Sequence, residues 1–228
     1  MASKSQRLLG LPFFLLAAVL LQACASGPPP TPVELGESAL SEGDWRSAKS
    51  YFAEALRIDS GLGRAWLGQA RAQLLARDPE RSLKSLSSLS KTDRGLFLGE
   101  GRDPYVDALE AAAKSRLGRK KPGAALVAAR ALSKLDPDRR GLSSLLGRAL
   151  IGEADQQKWK GERERALTLY REACVVVPGT LDAWVGTAEL LLESGRGKEA
   201  MQLLAAARKR HPTAGAIRTL TIQALGLR

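Results

Sequence analysis

The residues that could do chemistry in this chain are sparse, and their spacing suits little of it. There is one histidine, His211, and there are two cysteines, Cys24 and Cys174. One histidine and two cysteines so far apart cannot supply the ligand set of a common zinc site, and no Cys-x-x-Cys occurs. His211 lies between Arg208-Lys209-Arg210 and Pro212, where cations complement the dipole at a helix C-terminus. Gly61-x-Gly63 meets Trp66 where a dinucleotide loop needs its third glycine. Gly197-Lys198 is followed by Glu199 where a phosphate loop needs serine or threonine. Serines and aspartates are plentiful, but none stands in a nucleophile elbow or beside a recognisable base. The expectation is therefore no enzyme, no cofactor, no metal and no small-molecule substrate. Cys174 follows Ala173 and precedes Val175-Val176-Val177 near a helix end, which predicts a buried, unreactive thiol.

Cys24 has a different setting. Lys4 and Arg7 precede an apolar run from Leu8 to Leu21, which Pro12 interrupts and which is too short to span a bilayer as a helix. This is the pattern of an export signal, and residues 1–23 are expected to be removed. Its ending, Leu21-Gln22-Ala23-Cys24, resembles the lipobox of bacterial lipoproteins. That resemblance implies lipidation of Cys24 through its sulfur. Ala25 and Ser26 follow, with no aspartate at the second mature position, which by the enterobacterial sorting pattern implies the outer membrane, facing the periplasm. Residues 24–33 read as a tether whose prolines favour extended polyproline II. Residues 34–228 form the folded domain.

The 228 residues are 26% charged, 44% hydrophobic and 5% aromatic, a composition suited to a helical protein with ample core. Formal net charge is +11; residues 1–23 hold two bases and no acid, so the remainder carries +9. Such an excess favours acidic partners. The basic runs Arg119-Lys120-Lys121, Arg139-Arg140 and Arg208-Lys209-Arg210 fall at turns and helix ends, either as solvated loops or as a rim for anionic lipid or acidic protein. The export signal and the absence of interleaved aromatics disfavour nucleic acid as a partner.

The elements that position these residues are set by a repeat. Shifted by 34 residues, Gly161 falls on Gly195, Ala166 on Ala200, Ala173 on Ala207 and Pro178 on Pro212, with Tyr170 over Leu204. Leu35-Gly36, Gly43, Ala48, Phe52 and Ala55 repeat the pattern early in the chain, with Trp45 opening a second helix. A second unit opens at Arg64-Ala65-Trp66 and its other helix at Asp78-Pro79, with Ser82, Leu86 and Leu89 in place of small and aromatic residues. The glycine-rich stretch 91–103 reads as a loop, with Leu96, Phe97 and Leu98 tucked under its neighbours. Helices are then expected from Asp103-Pro104 to Gly118, from Pro122 to Asp136, from about Arg140 to Lys158, and through two further units ending at Pro212. A last amphipathic helix from Thr213 to Leu227 offers Ile217, Leu220, Ile222 and Leu225 as a cap.

This period and punctuation resemble the tetratricopeptide repeat, a helix–turn–helix unit that stacks into a solenoid. The resemblance implies an all-α solenoid of about five units with a C-terminal capping helix. It also implies a partner-binding groove lined by first helices: Arg64, Leu67, Arg71 and Leu74; Arg148, Ile151, Asp155 and Lys158; and Val185, Glu189 and Leu192. Trp159 could belong to core or groove. Small basic lipoproteins of this kind resemble the TadD proteins of tight-adherence (Flp) pilus machines, an identification that implies a scaffold or pilotin for a secretin or another pilus-assembly component. A type IV pilus pilotin and a regulator of peptidoglycan synthesis or hydrolysis share the architecture and stay open. Replacing Cys24 with alanine should abolish palmitate labelling; unchanged labelling would refute the lipobox.

Overall fold

The computed structural model describes residues 28–226, which form twelve helices and no strand. In chain order they are α1 (Pro32–Ser41), α2 (Trp45–Ile58), α3 (Gly63–Leu75), α4 (Pro79–Thr92), α5 (Arg94–Leu98), α6 (Arg102–Gly118), α7 (Pro122–Leu135), α8 (Leu142–Trp159), α9 (Arg163–Val176), α10 (Leu181–Glu193), α11 (Gly197–Arg210) and α12 (Gly215–Gly226). Five antiparallel hairpins, α1/α2, α3/α4, α6/α7, α8/α9 and α10/α11, stack side by side, and α12 packs on the last. The architecture is that of a tetratricopeptide-type solenoid.

The helix starts follow from local chemistry. Thr31 and Glu34 close a capping box at α1, the Thr31 hydroxyl accepting from the Glu34 amide (3.3 Å) and the Glu34 carboxylate from the Thr31 amide (2.7 Å). The Asp44 carboxylate accepts from the amides of Arg46 and Ser47, and that of Asp78 from the Arg81 amide. Pro32, Pro79 and Pro122 occupy first helical positions, where no amide hydrogen is required. Each hairpin turn needs one residue in the left-handed region. Gly43, Gly161 and Gly195 supply it at φ of 78°, 82° and 70°. In the second and third hairpins the same place holds Arg77 (φ 57°) and Lys120 (φ 56°), at a steric cost that glycine avoids.

Packing between hairpins depends on missing side chains. A Cβ on Gly68 would lie 2.2 Å from Phe52 Cζ, and one on Gly36 would lie 2.7 Å from Phe52 Cε1, so the ring is clasped between α1 and α3. A Cβ on Gly186 would lie 2.6 Å from Tyr170 Cζ in the same way. Ala48, Ala125, Ala166, Ala173, Ala200 and Ala207 are fully buried where helices approach most closely. Trp66 and Trp184 anchor equivalent places, their indole N–H groups donating to the carbonyls of Ser60 and Pro178, each at 2.9 Å. In the second hairpin polar residues replace the repeat's small ones. The Ser82 hydroxyl donates to the Ala70 carbonyl (3.0 Å) and that of Ser85 to Gln73 Oε1 (2.8 Å), all buried.

Two expectations need correction. Residues 91–103 are not simply a loop: α4 extends to Thr92, and Asp93, accepting from the Leu96 amide at 2.8 Å, starts the short helix α5. Leu96 and Phe97 pack on the core, with Phe97 edge-on to Tyr105, but Leu98 is exposed. On α12, Ile217, Leu220 and Ala224 face the last hairpin, whereas Ile222 and Leu225 are 70% and 50% exposed. Each side chain on this helix faces the stack or solvent according to a period of 3.6, and Ile222 and Leu225 fall on the outer side. The signal and lipidation readings at residues 1–23 and Cys24 lie outside the described residues.

Gly68→Ala should lower stability by about 1–3 kcal/mol, because the added methyl displaces a fully enclosed ring. In a Phe52→Leu background the same change should cost much less. Equal losses in both backgrounds, by thermal or denaturant unfolding, would refute the clasp.

Candidate functional site

The first helices of the hairpins, α1, α3, α6, α8 and α10, lie side by side and form one face of the stack. Ion pairs tie neighbours across it: Arg64 to Glu37 (3.5 Å) between α3 and α1, and Lys158 to Glu189 (2.8 Å) and Glu193 (3.5 Å) between α8 and α10. Arg71 reaches Glu100, just before α6, at 3.7 Å. The first and last of these pairs are exposed and contribute little to stability, so both arginines keep their charge available. Partial burial opposes the charge on the Lys158 ammonium, but pairing with Glu189 and Glu193 outweighs it and raises its pKa above the usual lysine range.

Arg64, Arg71, Arg148 and Asp155 are exposed, and Leu74, Ile151, Lys158, Val185, Glu189 and Leu192 are half-buried. Leu67 departs from the expected groove. It is 3% exposed and packs with Ala70, Leu86, Leu89 and Ala108. Its position on α3 points between the hairpins, so transfer of groove positions by spacing overshot by one side chain. Asp155 is engaged as well, accepting the hydroxyl hydrogen of Tyr170, whose pKa is raised by burial first and by Asp155 second. Trp159 is 87% exposed, outside the core.

Arg71 and Leu74 come together in a recess of about 450 Å³ with Leu40 of α1, Leu75 of α3, and Asp103, Pro104 and Asp107 of α6. Three successive first helices thus meet around an apolar floor with a cation on one side and two carboxylates on the other. Leu75 is half-exposed there, and a leucine left facing solvent in a concave place suits an apolar side chain of a guest. Leu40, Leu75, Asp103, Pro104 and Asp107 carry no signal in the repeat spacing. The insertion before α6 breaks the 34-residue period, so the third unit's groove positions could not be transferred from the others.

Cys174 is buried, its Sγ 3.7 Å from Thr187 Oγ1, and burial pushes its pKa up against the smaller opposing effects of Thr187 and Arg210. Native Cys174 should therefore resist iodoacetamide at pH values where an ordinary thiol reacts, and react promptly once the chain is unfolded. Fast native labelling would show that its face is open.

Profiles described as tetratricopeptide repeat match residues 33–90 and 160–222. Among solved structures, a tetratricopeptide-repeat protein from Bacteroides fragilis aligns with a TM-score of 0.58 and 13% identity, over 86% of this chain and 97% of its own. A thermophilic tetratricopeptide-repeat protein from Thermus thermophilus is 24% identical over 85% of this chain and 97% of its own, with a TM-score of 0.35. MamA from Desulfovibrio magneticus is 15% identical over 81% of this chain and 95% of its own, with a TM-score of 0.39. No curated protein matches the chain in sequence. At such identities the first likeness speaks for the fold, and none of them speaks for a ligand.

Proposed function

This chain is a tetratricopeptide-repeat protein, a protein–protein interaction scaffold, and on that premise we propose that its first-helix face captures a segment of a membrane-associated assembly machine. The observation that carries the reading is the recess shared by α1, α3 and α6. Its leucines and proline take apolar side chains, while Arg71 on one side and Asp103 on the other fix the direction of a charged guest, Asp107 being already held by Arg139. A groove of mixed character binds an extended or helical peptide and needs no catalytic group.

The anchoring follows from Cys24. An acylated cysteine on a proline-rich tether holds the solenoid at a membrane, by the sorting pattern the outer one, facing the periplasm. Confinement to that surface raises the effective concentration of a membrane partner without any new contact. The resemblance to TadD proteins makes a pilus secretin the partner of first choice and the protein a non-enzymatic lipoprotein scaffold or pilotin. Crosslinking in intact cells, followed by identification of what copurifies with the lipidated chain, tests this. Recovery of a secretin supports it, and recovery of a cell-wall synthase replaces it. Charge reversal at Arg64 and Arg71 should reduce recovery several-fold, and more than reversal at the turn residues Arg119 and Lys120; equal effects would refute the groove.

A further inference from the structure

All five intrahairpin turns lie along one edge of the stack, and contacts between neighbouring hairpins show that this edge is continuous. Arg116, one turn before the third hairpin's turn, grips Glu80 in the first turn of α4 with two bonds of 2.8 Å. Gln156, near the end of α8, donates to the Lys120 carbonyl at 3.4 Å. Arg196 in the fifth turn reaches Glu164 in α9 at 3.4 Å. Along this edge stand Arg77, Arg119, Lys120, Lys121, Lys160 and Lys198, all exposed. Among the described residues none of the six has a carboxylate within 4 Å, whereas Arg81, Arg116, Arg163 and Arg196 beside the same turns are paired, with Asp78, Glu80, Glu193, and Glu164 and Glu199 respectively. Trp159 stands in the middle of the row, 87% exposed, beside Lys160. Glu162 is the acid of that turn, and the row ends at the first hairpin, whose turn holds Glu42 and Asp44.

Two of these cations occupy positions that the backbone would rather give to glycine. Arg77 and Lys120 take the left-handed place filled by glycine in the other three turns. Strain retained at a solvent-exposed turn, where no packing requires the side chain, points to a use for the charge. Unpaired cations around an exposed tryptophan suit the headgroup region of an anionic bilayer, where indole sits at the interface and each nearby Lys or Arg strengthens attachment about fivefold. A folded anionic protein would offer the cations carboxylates in fixed geometry, but this row presents them on separate turns along a whole edge, as a diffuse charged surface requires.

We propose that the intrahairpin-turn edge, through these cations and Trp159, lies against an anionic phospholipid bilayer; the proposal rests on the anchoring at Cys24. The dimensions agree. α1 starts at the opposite edge, and its ten residues rise about 15 Å. Residues 24–31 can span at most about 26–29 Å, so the tether reaches past the length of α1 to the turn edge. In this pose the first-helix face stands roughly perpendicular to the bilayer and stays open to a guest.

The full lipid-anchored chain, reconstituted in vesicles of brominated phosphatidylcholine alone or in equal mixture with brominated phosphatidylglycerol, provides the test. Tryptophan emission should be quenched at least twofold more in the anionic vesicles, and high salt should remove the difference by screening. Trp159→Phe should remove at least half of the difference, because Trp45, which opens α2 after the first turn, is half-buried and follows Glu42 and Asp44. The double variant Arg77→Gly with Lys120→Gly should melt at the same or a higher temperature, since glycine relieves both turns, yet lose at least half of the anionic-specific quenching. That combination separates a membrane role from a structural one. Equal quenching in neutral vesicles, or a double variant that keeps the full difference, overturns the proposal and leaves the anchor standing. A chain that does not float with either vesicle overturns both.

Discussion

The ring of Phe52 occupies the space where side chains on Gly36 and Gly68 would be, and most of the architecture follows from contacts of this kind. Two helices can approach this closely only where one presents backbone, and a large side chain from a third then fills what is left. Tyr170 against Gly186 repeats the arrangement towards the C-terminus. The stack is a series of nearest-neighbour interfaces, two of them set by small residues against one large ring, with no single centre whose loss would be felt everywhere at once. That is why the hairpins can differ so much in sequence. Provided one interface residue is small and its neighbour fills the gap, the outer surfaces can vary freely, and charge can be distributed there for other purposes.

Those outer surfaces are not alike. Across the first-helix face, Lys158 is held by two glutamates and Asp155 by Tyr170, while the pairs of Arg64 with Glu37 and of Arg71 with Glu100 are exposed. On the opposite edge, between hairpins, Arg139 joins Asp107 and Glu110. At the intrahairpin turns, beside paired cations such as Arg116 and Arg196, six others are left in solvent. Paired charges give direction and register to a guest, because each accepts only a limited geometry. Unpaired ones act at longer range and without orientation. The same composition thus supports one surface for selecting and another for settling, and the two do not compete for the same residues.

Much of this was legible in the sequence because the signals are local. Pro79 after Asp78, Pro122, and the spacing from Gly161 to Pro212 each act within one helical turn, and the helices begin and end within about two residues of where those signals put them. The α5 segment reads as a loop in the sequence because its glycines are a stronger punctuation than the single Asp93 cap that starts it. Leu67 differs from its expected groove position because spacing fixes which residues share a face but not how far the neighbouring hairpin covers that face. The recess around Leu75 was missed for a related reason: it needs α6 at a particular height against α3, and the insertion that sets this height has no counterpart in the repeat. The left-handed Arg77 and Lys120 were visible only as the absence of an expected glycine, which becomes informative once the turn geometry is known.

The buried bonds in the second hairpin have a further consequence. Repeats that resemble each other invite exchange: during folding, a helix can pair with the wrong partner from along the same chain or from a neighbouring molecule, since alanine fits alanine almost anywhere. Ser82, Ser85 and Gln73 do not allow this. Set against another hairpin's helix, their polar atoms would be buried without the Ala70 carbonyl or each other to satisfy them, which costs more than a lost apolar contact. The most divergent hairpin is therefore the one that recognises its own two halves, and it gives a chain of near-equivalent modules a fixed point from which the others can be counted.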